Sequence, residues 1–278
     1  MGHSSWVHVK FACKLTWQSG TSKVVLNKKF RKLSVRFLAK LLLVLLSVSV
    51  YAQTIRVGTG LYAPPFEMQA DRQKNMYGFD IELMQEICQR AGWRCQFKGM
   101  LFEQLFTELK DNTIDLAISA ISITSERQKH FLFSLPYMAS GAQFLTKSQS
   151  PIHTILDIRN QRVGVERGTV FKQMLQAQYQ DAIDISEYAT QQDVLNALSN
   201  EDVDAVLIDT GAAQYWVVNN SGLFKAVGDS LPVGIGYGIM ANQNRQDLIE
   251  TVNRQLLAME NDGAYLKLYS RYFGTLSL

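Results

Sequence analysis

The chain has 278 residues, 47% of them hydrophobic and 19% charged, with a formal net charge of +3. That figure hides an asymmetry: residues 1–52 carry nine of the 28 basic side chains and none of the 25 acidic ones, so the remaining 226 residues hold 19 against 25, a formal charge of −6. The acidic balance excludes the basic stripe that nucleic-acid binding needs, and the length suffices for one large or two small domains with their own cores.

The first fifty residues read as an address. Lys28, Lys29, Arg31, Lys32, Arg36 and Lys40 precede "LLLVLLSVSV" (41–50), about ten apolar residues where a spanning helix needs roughly 20. Val50-Tyr51-Ala52 then offers small residues to a signal peptidase, so residues 1–52 are expected to be a leader with a secretory signal peptide cut near Ala52. The alternative is an uncleaved membrane anchor. Residues 1–28 add nothing to this pattern and suggest an over-extended start. Cys13 lies upstream of the cut and no cysteine follows the cut directly, against a lipid-anchored form. Cys88 and Cys95 remain, and in an exported chain an even pair is most simply a disulfide. His130 and His153 are isolated, so no metal and no cofactor is expected.

In "FDIELMQEICQRAGW" (79–93), Phe79, Leu83, Met84, Ile87, Cys88 and Ala91 recur at spacings of three and four. This is the stripe of an amphipathic helix, with Asp80 able to cap its start and Gly92 its end. A disulfide would tie its buried face to the next strand, "RCQFKG". "LFTELKDNTIDLAISA" (105–120) and "VLNALSNEDVDAVLID" (194–209) both run helix, polar turn, then a buried strand opened by Asp. Laid without gaps, Leu109 meets Leu198, Asp115 meets Asp204 and Ala120 meets Asp209. "IRVGTG" (55–60) and "QRVGVERG" (161–168) echo one another as strands entering glycine-bearing loops. The chain is therefore expected to form two similar α/β units. Their sheets should be mostly parallel, with ligands bound beyond the carboxyl ends of the strands. A last helical stretch, 245–274, carries Leu248, Ile249, Val252, Leu256 and Leu257 and is expected to pack back on the first unit. Two chain crossings, near 139–143 and 232–236, would then act as a hinge.

"GFDIELMQEIC", "ITSERQKHFLFSLPY", "VGVERGT", "VDAVLIDT" and "NDGAYLKLYSRYFG", in this order, resemble the periplasmic amino-acid-binding proteins of ABC importers, most of all the lysine/arginine/ornithine, histidine and arginine binders. The likeness runs from about Ile55 to Gly274, and the cysteine pair looks like the disulfide of the basic-amino-acid members. The resemblance implies a two-lobed α/β periplasmic-binding-protein fold (Venus-flytrap, type II). Lobe 1 would be 53–141 plus 236–278 and lobe 2 would be 142–235. It further implies a monomeric, non-enzymatic periplasmic protein that captures a free amino acid and docks on an inner-membrane permease.

Residue by residue, the resemblance gives Arg127 the ligand's α-carboxylate, completed by Ser122 and by the backbone at Thr169 and Val170. Asp209 takes the α-ammonium, helped by the carbonyl of Ala120. Phe102 stacks on the ligand side chain and Ser119 faces the same space. A guanidinium suits the first role because its planar fork pairs both carboxylate oxygens. Taken alone, Arg127 could equally be a solvent-facing residue in a helix's first turn, capped by Thr124, and Asp209 only a cap. Two positions depart from the pattern. Tyr62 stands one residue early for the tyrosine that covers the ligand's other face. Gly60 stands where the basic-amino-acid binders carry an acid. Glu166 could supply that carboxylate from the opposite wall, which makes arginine or lysine the first expectation, because an unpaired buried charge is costly. If Glu166 is merely an exposed loop charge, glutamine, histidine or a neutral amino acid follows. An enzyme on the same scaffold, resembling cyclohexadienyl dehydratase, is the rival from another class, with Glu166 as its candidate acid.

Overall fold

The structure, a computed structural model, describes residues 52–69, 75–220 and 222–274. The leader, its cleavage point and the anchor alternative lie outside the described residues.

Two five-stranded sheets organise the chain. The first contains β1 (Thr54–Thr59), β5 (Arg94–Gly99), β6 (Leu116–Ala117), β7 (Phe131–Phe133) and β13 (Met240–Asn242), ordered β5-β1-β6-β13-β7. The second contains β8 (Gly141–Lys147), β9 (Arg162–Glu166), β10 (Asp184–Tyr188), β11 (Ala205–Asp209) and β12 (Phe224–Pro232), ordered β10-β9-β11-β8-β12. A small sheet of β2 (Tyr62–Ala63), β3 (Glu67–Gln69) and β4 (Met76–Tyr77) sits beside the first. The expectation of mostly parallel sheets is corrected: in each large sheet two pairings are parallel and two antiparallel. The reason is connectivity. Strands β13 and β8 each arrive from the other sheet and enter against their neighbours' direction.

Helix α1 (Phe79–Ala91) buries Phe79, Leu83, Met84, Ile87 and Cys88 and ends on Gly92 in the left-handed conformation, φ 69°, as its sequence requires. Asp80 corrects its expected role: it makes no cap, and its buried carboxylate instead accepts from the Ala120 N–H at 2.7 Å and the Tyr137 hydroxyl at 2.9 Å. The disulfide joins Cys88 to Cys95 on β5, with Cα atoms 6.1 Å apart, ordinary for such a bridge.

The repeat seen in the sequence becomes a shared clamp. Arg56 forks onto Asp115 at 2.9 Å and reaches the Asn112 carbonyl. Arg162 forks onto Asp204 at 2.7 and 3.0 Å and reaches the Glu201 carbonyl. Each clamp ties the start of one parallel strand to the start of the next.

The remaining helices are α2 (Phe102–Lys110), α3 (Ser125–Gln128), α4 (Phe171–Tyr179), α5 (Gln191–Ser199), α6 (Thr210–Asn219), α7 (Gln246–Asn261) and α8 (Ala264–Phe273). The last two pack on α1, where Phe79 meets the rings of Tyr265, Tyr269, Tyr272 and Phe273. Leu248, Ile249, Val252 and Leu256 are buried as expected. Leu257 is exposed, one position past the helix's inward stripe. Between the sheets, residues 134–140 and 233–239 run side by side, bonded Val233 N to Ser140 O and Tyr237 N to Met138 O.

Among the described residues, no helix is long and apolar enough to cross a membrane, and no group of three His, Cys, Asp or Glu is placed to hold a metal.

Candidate ligand cleft

The loops that follow β6, β9 and β11 converge. Arg127 sits on the single turn α3, whose N-cap Thr124 accepts from the Arg127 N–H at 3.3 Å. Thr124 thus caps the turn as expected, while Arg127 itself is part-buried rather than solvent-facing. The guanidinium lies 4.9 Å from the ring centre of Phe106 and 5.6 Å from that of Phe102, a cation held on aromatic faces. One nitrogen donates to the Ser122 carbonyl at 2.9 Å, and another crosses to the second lobe, donating to the Gly168 carbonyl at 3.1 Å. Burial lowers the Arg127 pKa to about 10, against the favourable charge of Asp209.

Asp209 ends β11 and precedes α6 without capping it through its side chain. Its Oδ1 accepts from the buried Tyr237 hydroxyl at 2.7 Å. Burial raises its pKa to about 7, opposed by the Tyr237 bond and the Arg127 charge. Glu166 closes β9. It is half-buried rather than an exposed loop charge, and burial, then the Asp209 charge, raises its pKa to about 8. The Thr169 hydroxyl donates to the Glu166 carbonyl at 2.7 Å, which shapes the turn leading to Val170 at the N-terminus of α4. Ala120 holds a left-handed backbone, φ 42°, unusual for a residue with a side chain, and its N–H is fixed by Asp80.

The lobes touch. Gly168, at φ 84°, lies so close that an added Cβ would stand 2.8 Å from Cα of Glu103, so only glycine fits. Arg167 pairs with Glu103 at 3.5 Å. Tyr62, one residue early in the pattern, lies at the lobe contact, with its ring centre 6.4 Å from that of Trp216 on α6. Phe102, 7% exposed, is both a core residue of its helix and a neighbour of Arg127.

Sequence reasoning missed Glu67. This residue on β3 is 1% exposed, and its Oε1 accepts from the Ser119 hydroxyl at 2.5 Å. Ser119 in turn accepts from the Gly60 N–H at 3.2 Å. Burial holds the Glu67 carboxyl well above the usual carboxylate range, reinforced by Asp80, Glu166 and Asp209 and opposed by Ser119. The only signal available was its place two residues after the proline pair in "APPFE".

The fold and these converging loops are those of a two-lobed binding protein, and comparison with known proteins agrees. Residues 55–275 match the model of the bacterial extracellular solute-binding proteins, family 3, and the chain belongs to that family. It is therefore one of the solute-binding proteins, not an enzyme. It is 31% identical over 225 residues to ABC transporter arginine-binding protein 1 of Escherichia coli K12, covering 80% of this chain and 91% of that one. It is 29% identical over 235 residues to the lysine/arginine/ornithine-binding periplasmic protein of the same strain, covering 82% and 90%. The crystal structure of an arginine 3rd transport system periplasmic binding protein from Legionella pneumophila superposes with a TM-score of 0.77 at 41% identity, covering 80% of this chain and all of that one.

Proposed function

We propose that this chain is a periplasmic receptor that closes on a free basic amino acid, arginine or lysine, and presents it to an inner-membrane ABC permease. The observation that carries the reading is the pair Arg127 and Asp209, one on each side of the cleft, electrostatically coupled and both drawn out of water. A zwitterion bridges such a pair: its carboxylate takes the guanidinium fork, with Ser122 and the turn at Thr169 and Val170, while its ammonium takes Asp209 and the Ala120 carbonyl. Phe102 supplies an aromatic face for the ligand's aliphatic stem, Tyr62 closes the lobe contact, and Glu166 faces the side-chain cation. The named specificities of the relatives support a basic ligand.

Lobe 1 is taken as 53–141 plus 236–278 and lobe 2 as 142–235, hinged at the paired crossings. Ligand touching both lobes stabilises the closed form. A monomer suffices for this cycle, and export would rest on a signal peptide ending near Ala52. Calorimetric titration of arginine into protein unfolded and refolded to strip bound solute tests the reading. Saturable binding is expected in the native sequence, with a loss of at least 100-fold in Arg127→Lys, which keeps the charge but not the fork. Equal affinity in the variant would remove Arg127 from the site.

A further inference from the structure

Asp80 lies in the first turn of α1 and is fully buried. Its Oδ2 accepts two hydrogen bonds from separate parts of the chain: the Ala120 N–H at 2.7 Å, in the loop after β6, and the Tyr137 hydroxyl at 2.9 Å, on the crossing 134–140. A carboxylate is seldom buried without a task, because taking its charge out of water is costly. The two donors favour its ionised form against the burial and the Asp209 charge that oppose it, and the helix N-terminus adds to them.

The task is visible at Ala120. A residue with a side chain at φ 42° persists only where its surroundings hold it there. Asp80 pins its N–H, and one residue further on the Ile121 carbonyl accepts from the Gly238 N–H at 3.0 Å. Between these anchors the direction of the Ala120 carbonyl is fixed, and among the described residues no backbone N–H donates to it.

Tyr137 is itself held. It is 4% exposed, its N–H donates to the Tyr237 carbonyl at 2.9 Å, and its own carbonyl accepts from the Tyr265 hydroxyl. Tyr237, on the other crossing, has its ring centre 6.3 Å from that of Tyr137 and donates through its hydroxyl to Asp209. Each crossing thus supplies one tyrosine whose hydroxyl holds one buried carboxylate.

We propose that Asp80, held by Tyr137, is the positioning residue of the ammonium site on the first lobe, setting the Ala120 carbonyl toward the ligand as Tyr237 sets Asp209 on the second. The inference rests on the zwitterion reading above. Both acceptors of the ligand's ammonium are then tied to the paired crossings. Asp80 acts through Ala120 and needs no contact with the ligand.

The test compares arginine with δ-guanidinovaleric acid, the same molecule without its α-amino group. Affinities are measured by calorimetry on protein expressed as the full chain and stripped by refolding, the weaker ligand being read by competition against arginine. The unsubstituted protein should prefer arginine. In Asp80→Ala that preference should fall by about tenfold or more, the worth of one hydrogen bond to a charged group. Affinity for the desamino ligand should stay within about threefold. Asp80→Asn should restore the preference, because asparagine keeps an accepting oxygen for both donors and puts its amide where Asp80 Oδ1 has no partner. Tyr137→Phe should lower the preference by about threefold or more, and it carries the test if Asp80→Ala does not fold. An unchanged preference in these two variants, equal losses for both ligands, or no rescue by Asp80→Asn overturns the assignment while leaving the receptor reading intact. Failure of the unsubstituted protein to bind arginine or lysine overturns both.

Discussion

The hydroxyl of Tyr237 donates to Asp209 Oδ1 across 2.7 Å, and the two residues come from different parts of the chain: Tyr237 from the returning crossing, Asp209 from the end of β11. A hinge segment thereby holds the residue proposed to receive the ligand's ammonium. Hydrogen bonds to a charged group contribute about 1.5–3 kcal/mol. Tyr237→Phe is therefore expected to weaken arginine binding by about tenfold, roughly 1.4 kcal/mol. The pH profile of affinity should also move upward, because the bond lowers the Asp209 pKa. A purely structural tyrosine would change the melting temperature and leave the pH profile in place.

The carboxylates of the cleft predict opposite pH trends for stability and for binding. Glu166 at about 8 and Asp209 at about 7 stand above unfolded values near 4. Between those limits the folded, ligand-free chain holds more protons than the unfolded chain, so its stability declines as pH rises from about 4 to 8. A cationic ligand selects the ionised forms. Its affinity should therefore rise from pH 6 to 8.5, with between about one and two protons released per arginine at pH 7. The groups acting on this pair are Asp193 and, by mutual repulsion, Glu67 and Asp80, which oppose ionisation, and Arg127, the Tyr237 hydroxyl and the Gln191 backbone N–H, which favour it. Calorimetry in two buffers of different ionisation enthalpy reads the proton count. A count of zero would contradict this electrostatic description.

The disulfide lies on the flank of the first lobe, away from the converging loops. Replacing Cys88 and Cys95 together by Ala opens a short loop and should cost about 2.5 kcal/mol. The melting temperature would fall by about 5–10 °C at this chain length. Arginine affinity should be unchanged, since Cys88 lies on α1 and Cys95 on the edge strand β5, neither of which supplies a proposed ligand contact. A large loss of affinity would show that α1 communicates with the site through this bridge.

What was legible in the sequence was whatever short-range pattern encodes. The apolar stripe of α1, its Gly92 stop and the gapless repeat from Asp115 to Asp204 all appear as read, and the repeat proved deeper than expected because Arg56 and Arg162 complete it. Position 120 against 209 shows the limit. The repeat aligns Ala120 with Asp209, yet one is a strained backbone turn and the other an acid, since a ligand binds asymmetrically between similar lobes. Asp80 was misread because capping is a local rule, and here two tertiary donors, the Ala120 N–H and Tyr137, captured its carboxylate. Glu67 escaped notice for a related reason. The chain must turn back through β2 and β3 before position 67 meets position 60, and nothing in the spacing announces that meeting.

The central claim is capture of a basic amino acid between two lobes, and thermal melting of the refolded, ligand-stripped protein against single amino acids tests it most directly. At 100 times Kd a ligand specific for the native state stabilises it by about 2.7 kcal/mol, a rise of about 5–10 °C here. The account predicts such a rise with arginine, a smaller one with lysine or ornithine at equal concentration, and none with acidic or aliphatic amino acids. A rise with glutamine but not arginine would contradict the role given to Glu166, and no response to any amino acid would contradict the account as a whole.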